Sequence, residues 1–501
     1  MGDPLHGACE YQVGMPREDA IVLRIEMIRS ITSSFLALTL TALLGCSTPA
    51  VVYSPKDGPD DSPSGAVQPL GSLLGGATSL RLVLIHGVGD HCPGYALDPQ
   101  DGWLNSNAME AMGLRSIPSD DTAVHLVDVS VFMGGKFDGL SQVAYAKRKY
   151  ALKLPGSASD TSVEAIEITW SPLTQWIKSD QLGYDSPSTT PQVAQKSKGC
   201  VPPSDPTHPP GKAAPSRLYL DKLIKEQIFD RNLSDAILYS GTYGWVMERG
   251  IAEALCRAIN PAAADAPCAW QPNEQDKYKY IFVTHSLGSR MVYDMFLDLL
   301  GRQTAANKNP FSTAEIQRAR LPVGDILTNT PAFYMMANQV SLLGLSDVPK
   351  TARSSDSMVP YALYIDLSGA LPKDLGVLPA ASKPGPSTAD PSRVFGDVFS
   401  ELATARRAAA AQARKALPKL QIVAFNDTND LLTWHIPPWY GVSSTQSETG
   451  VEFVNVFVQN TPKLIVIENP GPAHDNYFKK KDVWEVISCG AESGAVRPCP
   501  K

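Results

Sequence analysis

Apolar and polar positions alternate along the chain in blocks that predict buried strands separated by helices. Residues 81–85 and 280–283 form continuous apolar runs, which are typical of strands buried on both faces. The second run leads directly into helical spacing over residues 287–300. Further strands are predicted at 125–132, 163–170, 325–328, 420–425 and 453–458, and further helices at 233–259, 394–417 and 482–487. This alternation predicts an α/β fold with a mostly parallel central sheet flanked by helices.

Three segments interrupt the alternation. Residues 46–79 are rich in Pro, Gly, Ser and Asp, a composition that predicts a flexible tether. Residues 185–216 contain eight prolines and predict an irregular surface loop. Residues 350–418 predict loops followed by an Ala- and Arg-rich helix, and either insertion could cover a site or decorate the surface, with decoration the favoured interpretation. We therefore predict one domain over 80–501 with insertions at about 185–216 and 350–418.

Composition narrows the class of protein. The 501 residues include 44 Lys and Arg against 51 Asp and Glu, which gives a net charge of −7. This mild acidity argues against a nucleic-acid-binding protein. A hydrophobic content of 43% is too high for a disordered chain. Because no apolar run reaches about 18 residues, the sequence excludes a membrane protein with many spans.

The N-terminal region reads as a targeting signal. Residues 31–44 are uncharged and largely apolar, about as long as the hydrophobic part of a signal peptide and too short for a membrane span. Met27 and Arg29 stand just before this run, whereas acidic residues outnumber basic ones over residues 1–26. We therefore interpret 1–26 as a misassigned upstream start and 27–45 as a lipoprotein signal peptide.

The end of this signal carries a recognisable motif. Leu43-Leu44-Gly45-Cys46 resembles the lipobox of bacterial lipoproteins, although Leu44 is larger than the usual residue there. The resemblance implies lipidation of Cys46 and stable anchoring, since more than one acyl chain would be attached. Ser47 stands where an inner-membrane retention signal places Asp, so we expect the protein at the outer membrane. The sequence does not say whether it faces the periplasm or the cell surface. The alternative is a secreted protein in which Cys46 has no such role.

The remaining cysteines agree with export from the cytoplasm. Apart from Cys9 and Cys46, they are Cys92, Cys200, Cys256, Cys268, Cys489 and Cys499. An even number in an oxidising compartment is consistent with disulfides. Short spacings favour the pairs Cys256–Cys268 and Cys489–Cys499, which leaves Cys92 to pair with Cys200. Fifteen pairings of six cysteines are possible. No cysteine or histidine cluster has metal-site spacing, so we expect no metal.

One motif places a serine between a strand and a helix. Thr284-His285-Ser286-Leu287-Gly288 resembles the G-x-S-x-G nucleophile elbow of α/β-hydrolases. This tight turn requires small residues two positions before and after the serine, so Gly288 fits and Thr284 departs from the pattern. The N-terminus of the following helix would stabilise negative charge beside Ser286. A serine that merely caps this helix is the alternative.

A second motif follows the strand at 81–85. His86-Gly87-Val88-Gly89 resembles the oxyanion loop after the third strand of the α/β-hydrolase fold. Glycine suits this place because the backbone must approach the substrate carbonyl closely. The resemblance implies that the backbone amides of Leu287 and Val88 form the oxyanion hole. We expect His86 to have a structural role.

The partners of the serine are expected downstream in the order acid, then histidine. Asp430 follows the strand at 420–425 and fits the acid best, with Asp427 as the rival. His474 follows the last strand, with the aromatic Tyr477 three residues later, and fits the base. Imidazole suits this role because its ordinary pKa of about 6.5 lets it accept and return a proton near neutral pH. The other candidates, His285 and His435, do not follow the last strand.

Together these motifs span about residues 80–490 and resemble the α/β-hydrolase superfamily. Residues 167–172 and 289–294 are similar to a poorly characterised bacterial branch of serine hydrolases. The resemblance implies a carboxylic ester hydrolase that uses Ser286, His474 and Asp430 through an acyl-enzyme, without cofactor or metal. Its substrate would be a small-molecule or lipid ester. Trp434 and residues 437–440 could line an acyl site or form an ordinary aromatic turn.

Two alternatives remain open at the level of the sequence. The same triad serves thioesters, amides and acyl transfer, so the nucleophile is better defined than the reaction. A catalytically idle α/β-hydrolase-fold lipoprotein that acts as an envelope scaffold would usually have lost one of the three residues. The sequence gives neither the acyl chain length nor the oligomeric state.

Overall fold

A computed structural model describes most of the domain but not the N-terminal segment. The described residues are 51–53, 66–118, 123–133, 142–154, 159–182, 225–260, 266–271, 277–302, 309–343, 397–412, 417, 419–436, 450–460, 470–492 and 495–496. All of them belong to one compact unit, built from residues 49–460 and 469–501. The predicted upstream start, signal peptide and lipidated Cys46 lie outside the described residues, as do residues 185–216 and most of 350–418. No helix within the described ranges is long and apolar enough to cross a membrane.

Ten strands of the described residues form one mixed sheet. They are β1 Val51–Tyr53, β2 Ser79–Ile85, β3 Leu114–Ser116, β4 Val124–Asp128, β5 Gln142–Leu152, β6 Thr161–Thr169, β7 Lys279–His285, β8 Ala332–Met336, β9 Leu420–Asp427 and β10 Val451–Val458. Their order is β1-β10-β9-β8-β7-β2-β6-β5-β3, with β4 also paired to β5. The six strands from β10 to β6 are parallel, and the edge strands pair antiparallel. A separate hairpin joins β11 Ala491–Glu492 to β12 Ala495–Val496.

Helices cover both faces of the sheet. They are α1 Leu70–Leu74, α2 Ser106–Met112, α3 Ser130–Met133, α4 Pro172–Leu182, α5 Ser234–Ser240, α6 Gly244–Ile259, α7 Leu287–Leu299, α8 Thr313–Thr328, α9 Val340–Leu343, α10 Asp397–Gln412, α11 Pro470–Asp475 and α12 Lys481–Cys489. A π-helical segment, Lys225–Leu233, leads into α5, and a 3₁₀ turn, Asn476–Lys479, precedes α12.

Two apolar cores follow from the alternation of side chains along the strands. Val83 of β2 belongs to the core shared with α6 and α7, whereas Leu82 and Leu84 belong to the core on the opposite face, where Trp484 of α12 is buried. A stretch of strand buried on both faces needs apolar residues at successive positions, as Leu82–Ile85 of β2 provide. The structure thus confirms an α/β class with a mostly parallel sheet flanked by helices.

One predicted strand is wrong. Residues 325–328 form the last turn of α8, and the strand is β8, which begins four residues later. The helix starts at a capping box in which Ser312 and Glu315 each hydrogen-bond the other's backbone, and it continues past Pro322. Its apolar residues near 325–328 therefore face the core from a helix. The predicted strand at 125–132 is also shorter than expected, because it ends at Asp128 and α3 follows.

Part of the predicted tether 46–79 is packed on the domain instead. Val51–Tyr53 pairs with β10, and Val67, Leu70 and Leu74 are buried. Leu70 and Leu74 are four residues apart and lie on one side of α1, and the backbone of Val67, before that helix, pairs with Ala491. The Pro- and Gly-rich composition hides this short apolar pattern. For residues 66–79, therefore, the prediction of a free tether is wrong.

Three predicted disulfides can be compared with the described cysteines. A disulfide joins Cys256, near the end of α6, to Cys268, which confirms one predicted pairing. Cys92 and Cys489 are also disulfide-bonded. Their predicted partners Cys200 and Cys499 lie outside the described residues, so those two pairings stay predictions.

Candidate active site

The candidate residues lie between β2 and β7, where the connections between strands lead away to opposite sides of the sheet. Strands β2 and β7 are neighbours, and Ile85 pairs with Thr284, so both strands end at the same level. From β2 the chain continues to β6 on one side, whereas from β7 it continues through β8, β9 and β10 on the other. Such a switch point opens a crevice at the carboxyl ends of the strands, where α/β proteins bind ligands. Ser286 and the His86–Gly89 loop lie at this switch point.

Ser286 occupies a strained turn between β7 and α7. Its backbone has φ 51° and ψ −126°, a conformation that costs a non-glycine residue about 1–3 kcal/mol. The Ser286 amide donates to the carbonyl of Met336 at 2.8 Å, which anchors the turn to β8. A Cβ on Gly288 would lie 2.3 Å from the His86 carbonyl oxygen, and one on Gly87 would lie 2.4 Å from the Ser286 Cβ. The close approach of this turn to the His86–Gly89 loop therefore requires glycine at both positions.

Thr284 stands where the G-x-S-x-G pattern has glycine, and it fits the turn through a hydrogen bond. Its side-chain oxygen lies 2.8 Å from the Ser289 hydroxyl on the first turn of α7. Both residues are buried. The threonine hydroxyl thus ties the end of β7 to the start of α7, and its size is accommodated without glycine.

His474 and Asp430 form a buried pair. His474 Nδ1 lies 2.9 Å from each Asp430 carboxylate oxygen. The same carboxylate accepts the Leu432 amide at 2.9 Å and the Tyr477 hydroxyl at 3.1 Å. Burial by itself lowers the pKa of His474, but the hydrogen bond and charge of Asp430 outweigh it and hold that pKa above its ordinary value. The carboxylate therefore fixes the imidazole with its proton on Nδ1 and stabilises the protonated ring.

Asp427 has different surroundings, although it is also buried. Its carboxylate accepts the backbone amides of Asn429 and Asn460. Its own amide donates to the Tyr477 hydroxyl at 2.7 Å. These bonds place Asp427 in the framework of the turn, and the structure pairs His474 with Asp430.

The other candidate side chains lie in different environments. His285 Nε2 is 2.8 Å from the backbone carbonyl of His474, and burial, with a smaller contribution from His474, lowers the pKa of His285 well below its ordinary value. His435 is exposed. Trp434 is 37% exposed, and its backbone bonds with the Asn338 side chain. The neighbouring residues 437–440 lie outside the described residues, so a role in an acyl site stays a prediction.

Two reactive atoms at this edge have no hydrogen-bond partner within the described part of the chain. These atoms, the Ser286 hydroxyl oxygen and His474 Nε2, are both buried. Buried polar atoms are nearly always hydrogen-bonded, so these exceptions need an explanation, and His285 Nδ1 is a third one at the same turn. A nucleophile and a base that exchange a proton only during reaction provide one.

His86 holds the neighbouring loop in place. Its Nε2 accepts the backbone amides of Trp170 at 3.0 Å and Ser171 at 3.2 Å, and its ring stacks on the Trp170 indole. The Trp170 indole N–H donates to the His86 carbonyl at 2.9 Å. Burial lowers the pKa of His86 well below its ordinary value, so the ring stays neutral and can accept these bonds. The contacts of His86 are structural, as the sequence predicts.

The two predicted oxyanion donors flank Ser286. Leu287 is the first residue of α7, so its amide has no acceptor within that helix. Val88 follows Gly87, whose backbone lies directly against Ser286. Both residues are buried.

Sequence reasoning missed the residues that support this edge. The sequence marks Tyr477 only as an aromatic residue after His474, whereas in the structure its hydroxyl donates to the Asp430 carboxylate. Glu167 of β6 accepts the amides of Gly94, Ala96 and Leu97, which shapes the chain after the His86–Gly89 loop. A charged residue within the otherwise apolar run Ala165–Ile168 is a signal that could have found Glu167. Lys178 and Asp235 form a buried ion pair that also bonds the Gly89 amide, and neither residue lies in a sequence motif that points to this role.

Comparison with protein-family descriptions, with curated proteins and with solved structures finds no match for this chain. Within the described residues, no group of three or more His, Cys, Asp or Glu side chains is placed to hold a metal ion. The function is therefore argued from the geometry of the site itself.

Proposed function

We propose that the protein is a serine hydrolase of the α/β-hydrolase type that acts on carboxylic esters. One observation carries the proposal: the buried His474–Asp430 pair and the strained Ser286 turn share an edge of the sheet, and among the described residues neither His474 Nε2 nor the Ser286 hydroxyl has a hydrogen-bond partner. A serine that merely capped α7 would direct its hydroxyl at a helix amide, but the Ser286 side chain makes no such bond.

The order of the elements supports the same fold type. The serine follows β7, and the glycine-containing loop follows its neighbour β2. The acid comes after β9 and the histidine after β10, in the order serine, acid, histidine. Because all these strands are parallel, their carboxyl ends bring residues far apart in sequence to one edge.

These residues can divide the reaction between them. The Ser286 oxygen attacks the ester carbonyl while His474 Nε2 takes its proton, and Asp430 stabilises the resulting imidazolium. The amides of Leu287 and Val88 donate to the developing oxyanion. The imidazolium then protonates the leaving alkoxide, and water hydrolyses the acyl-enzyme by the same steps.

The test is hydrolysis of a p-nitrophenyl ester series from acetate to palmitate, together with labelling by a fluorophosphonate. We expect turnover and one labelled site, both lost in Ser286→Ala. Ser289→Ala is the matched control, because Ser289 is also buried on α7 but hydrogen-bonds Thr284. A folded protein with neither turnover nor labelling would contradict the proposal and favour the idle envelope scaffold.

We also propose that Cys46 anchors the protein in the outer membrane, on the lipobox resemblance alone. Replacement Cys46→Ala is expected to move the protein from the membrane fraction to the soluble fraction of the producing bacterium. Phase separation in detergent followed by immunoblotting measures this. Retention of the variant in the membrane would contradict lipid anchoring.

A further inference from the structure

A buried group of charges lies beneath the loop that follows β2. Lys178 of α4 is only 1% exposed, and its Nζ lies 3.0 Å from Asp235 Oδ1 and 3.1 Å from Asp90 Oδ1. Asp235, on α5, is completely buried. Fully buried lysines and aspartates are rare unless paired, and their desolvation is costly. No step of the proposed reaction uses these groups.

The charges are attached to the loop at two consecutive residues. Asp235 Oδ2 accepts the backbone amide of Gly89 at 2.8 Å, and Lys178 holds the side chain of Asp90. Gly89 has φ 101°, and a Cβ there would lie 3.0 Å from Asn232 Oδ1. The loop therefore turns sharply at a position that only glycine adopts readily, and it is held there from α4 and α5.

This attachment decides which amide can serve an oxyanion. The Gly89 amide is already bonded to Asp235, so it is not available to a substrate. The bond fixes the peptide plane between Val88 and Gly89. The Val88 amide lies in the preceding plane, between Gly87 and Val88, so the bond restrains that amide through the Val88 Cα. Donors to an oxyanion act only when they are held in place before the reaction, because reorientation during the reaction would cost what the donor gains.

We propose that Lys178 and Asp235 are positioning residues for the oxyanion hole. Asp235 holds Gly89 and so aims the Val88 amide at the carbonyl oxygen, while Lys178 neutralises Asp235 and tethers Asp90. A charged acceptor makes a stronger hydrogen bond than a neutral one, and the lysine makes burial of that charge tolerable. The inference rests on the proposed serine hydrolase function and deepens it.

The test compares Asp235→Asn, Lys178→Met and Asp90→Asn with a matched control. Asparagine keeps the shape of Asp235 but removes the charge that binds the Gly89 amide. The control is Arg257→Met, which breaks the similarly buried Arg257–Glu253 pair of α6. The end of that helix lies near the start of β2, where the Ile259 carbonyl accepts from Arg81, so the control is remote from the site.

We expect Asp235→Asn and Lys178→Met to lower kcat by about 10- to 100-fold. This loss is smaller than the loss caused by removing an oxyanion-hole donor, because the Val88 amide remains present. The KM should change by less than about twofold. The affinity for an alkyl boronic acid, which mimics the tetrahedral intermediate, should fall in proportion to kcat. The pH midpoint of kcat/KM should not move, because the His474–Asp430 pair is untouched. Arg257→Met should lower the thermal midpoint and leave kcat and boronate affinity unchanged.

Each outcome decides the inference. Wild-type kcat and boronate affinity in folded Asp235→Asn would overturn it. If Lys178→Met does not fold, Asp90→Asn replaces it, since that side chain is 29% exposed, and a kcat loss of about threefold or more is expected. An active wild type with fully active variants overturns the positioning role alone. A wild type without turnover or fluorophosphonate labelling overturns the proposed function, and this inference with it.

Discussion

Particular polar groups near the two ends of the central strands have opposite surroundings. At the start of β2, Arg81 donates to Glu164 at 2.8 Å and to the Tyr280 hydroxyl at 3.1 Å, so the charge is paired and contributes to stability. At the other end, the Ser286 hydroxyl and His474 Nε2 are buried without partners in the described structure. An unpaired buried polar atom costs about 1–3 kcal/mol. The unpaired Ser286 hydroxyl and His474 Nε2 therefore reduce stability at the carboxyl end, where the proposed chemistry needs reactive atoms.

The strongest test of this comparison is Ser286→Ala. We expect kcat to fall by at least about 10⁴-fold, because the nucleophile is lost. The thermal midpoint should stay equal or rise, since an unpaired buried hydroxyl is replaced by hydrogen. Ester hydrolysis and thermal unfolding in the same buffer measure both. A variant that keeps a tenth of the wild-type rate would show that the unpaired serine is not the nucleophile.

The next effect separates two aspartates of one turn. Asp430→Asn should lower kcat by about 10³- to 10⁴-fold, because asparagine no longer holds the imidazole in the required tautomer. Asp427→Asn is the matched control. Its carboxylate bonds backbone amides, so we expect a lower thermal midpoint and a kcat within about tenfold of wild type. Steady-state kinetics on both variants decide this, and loss of turnover in Asp427→Asn alone would reverse the assignment.

The central strands other than β8 could be predicted from sequence, because each carries its own signal. β2, β7, β9 and β10 are apolar runs that need burial on both faces, and the structure confirms them. β5, the longest strand, is not predicted because Lys147, Arg148 and Lys149 break its apolar pattern near the edge of the sheet. β5 has strand partners on both sides, but several of its residues are only partly buried, so charge is tolerated there and the signal is weak.

The site was predictable to the extent that its residues lie at ends of predicted strands. Ser286, Asp430 and His474 each follow such a strand, and parallel strands bring their carboxyl ends together. The structure places Asp430 against His474, a choice that the sequence left open with Asp427. The support from Asp235 was not predictable, because its contact with Gly89 joins residues 146 positions apart without a motif.

The opposite end of the strands supplies a third test. Arg81→Met keeps much of the side-chain bulk but leaves Glu164 without its guanidinium partner. Because both side chains retain some exposure, we expect the free energy of unfolding to fall by only about 1–3 kcal/mol. The kcat should remain within about twofold of wild type. Denaturant unfolding and ester kinetics measure the two quantities, and a large loss of kcat in a stably folded variant would break the division between the two ends.

The smallest effect concerns pH. Protonated His474 cannot accept the serine proton, so kcat/KM should rise with pH through the pKa of His474 in the free enzyme. Burial lowers that pKa, but Asp430 outweighs it, so the midpoint should lie above the ordinary 6.5. Asp430→Asn removes the compensating charge, and the midpoint of its residual activity should move to lower pH. A wild-type midpoint at or below 6.5 would contradict this.

The same raised pKa affects stability with a defined sign. The folded protein binds the His474 proton more tightly than the unfolded chain, so the added stability is complete below about pH 6.5 and is lost as pH rises through the folded pKa. Asp430→Asn should abolish this contribution. The measurement is the wild-type minus variant difference in unfolding free energy across that range. A difference that grew with rising pH would mean that the pair favours neutral imidazole, and would contradict the raised pKa of His474.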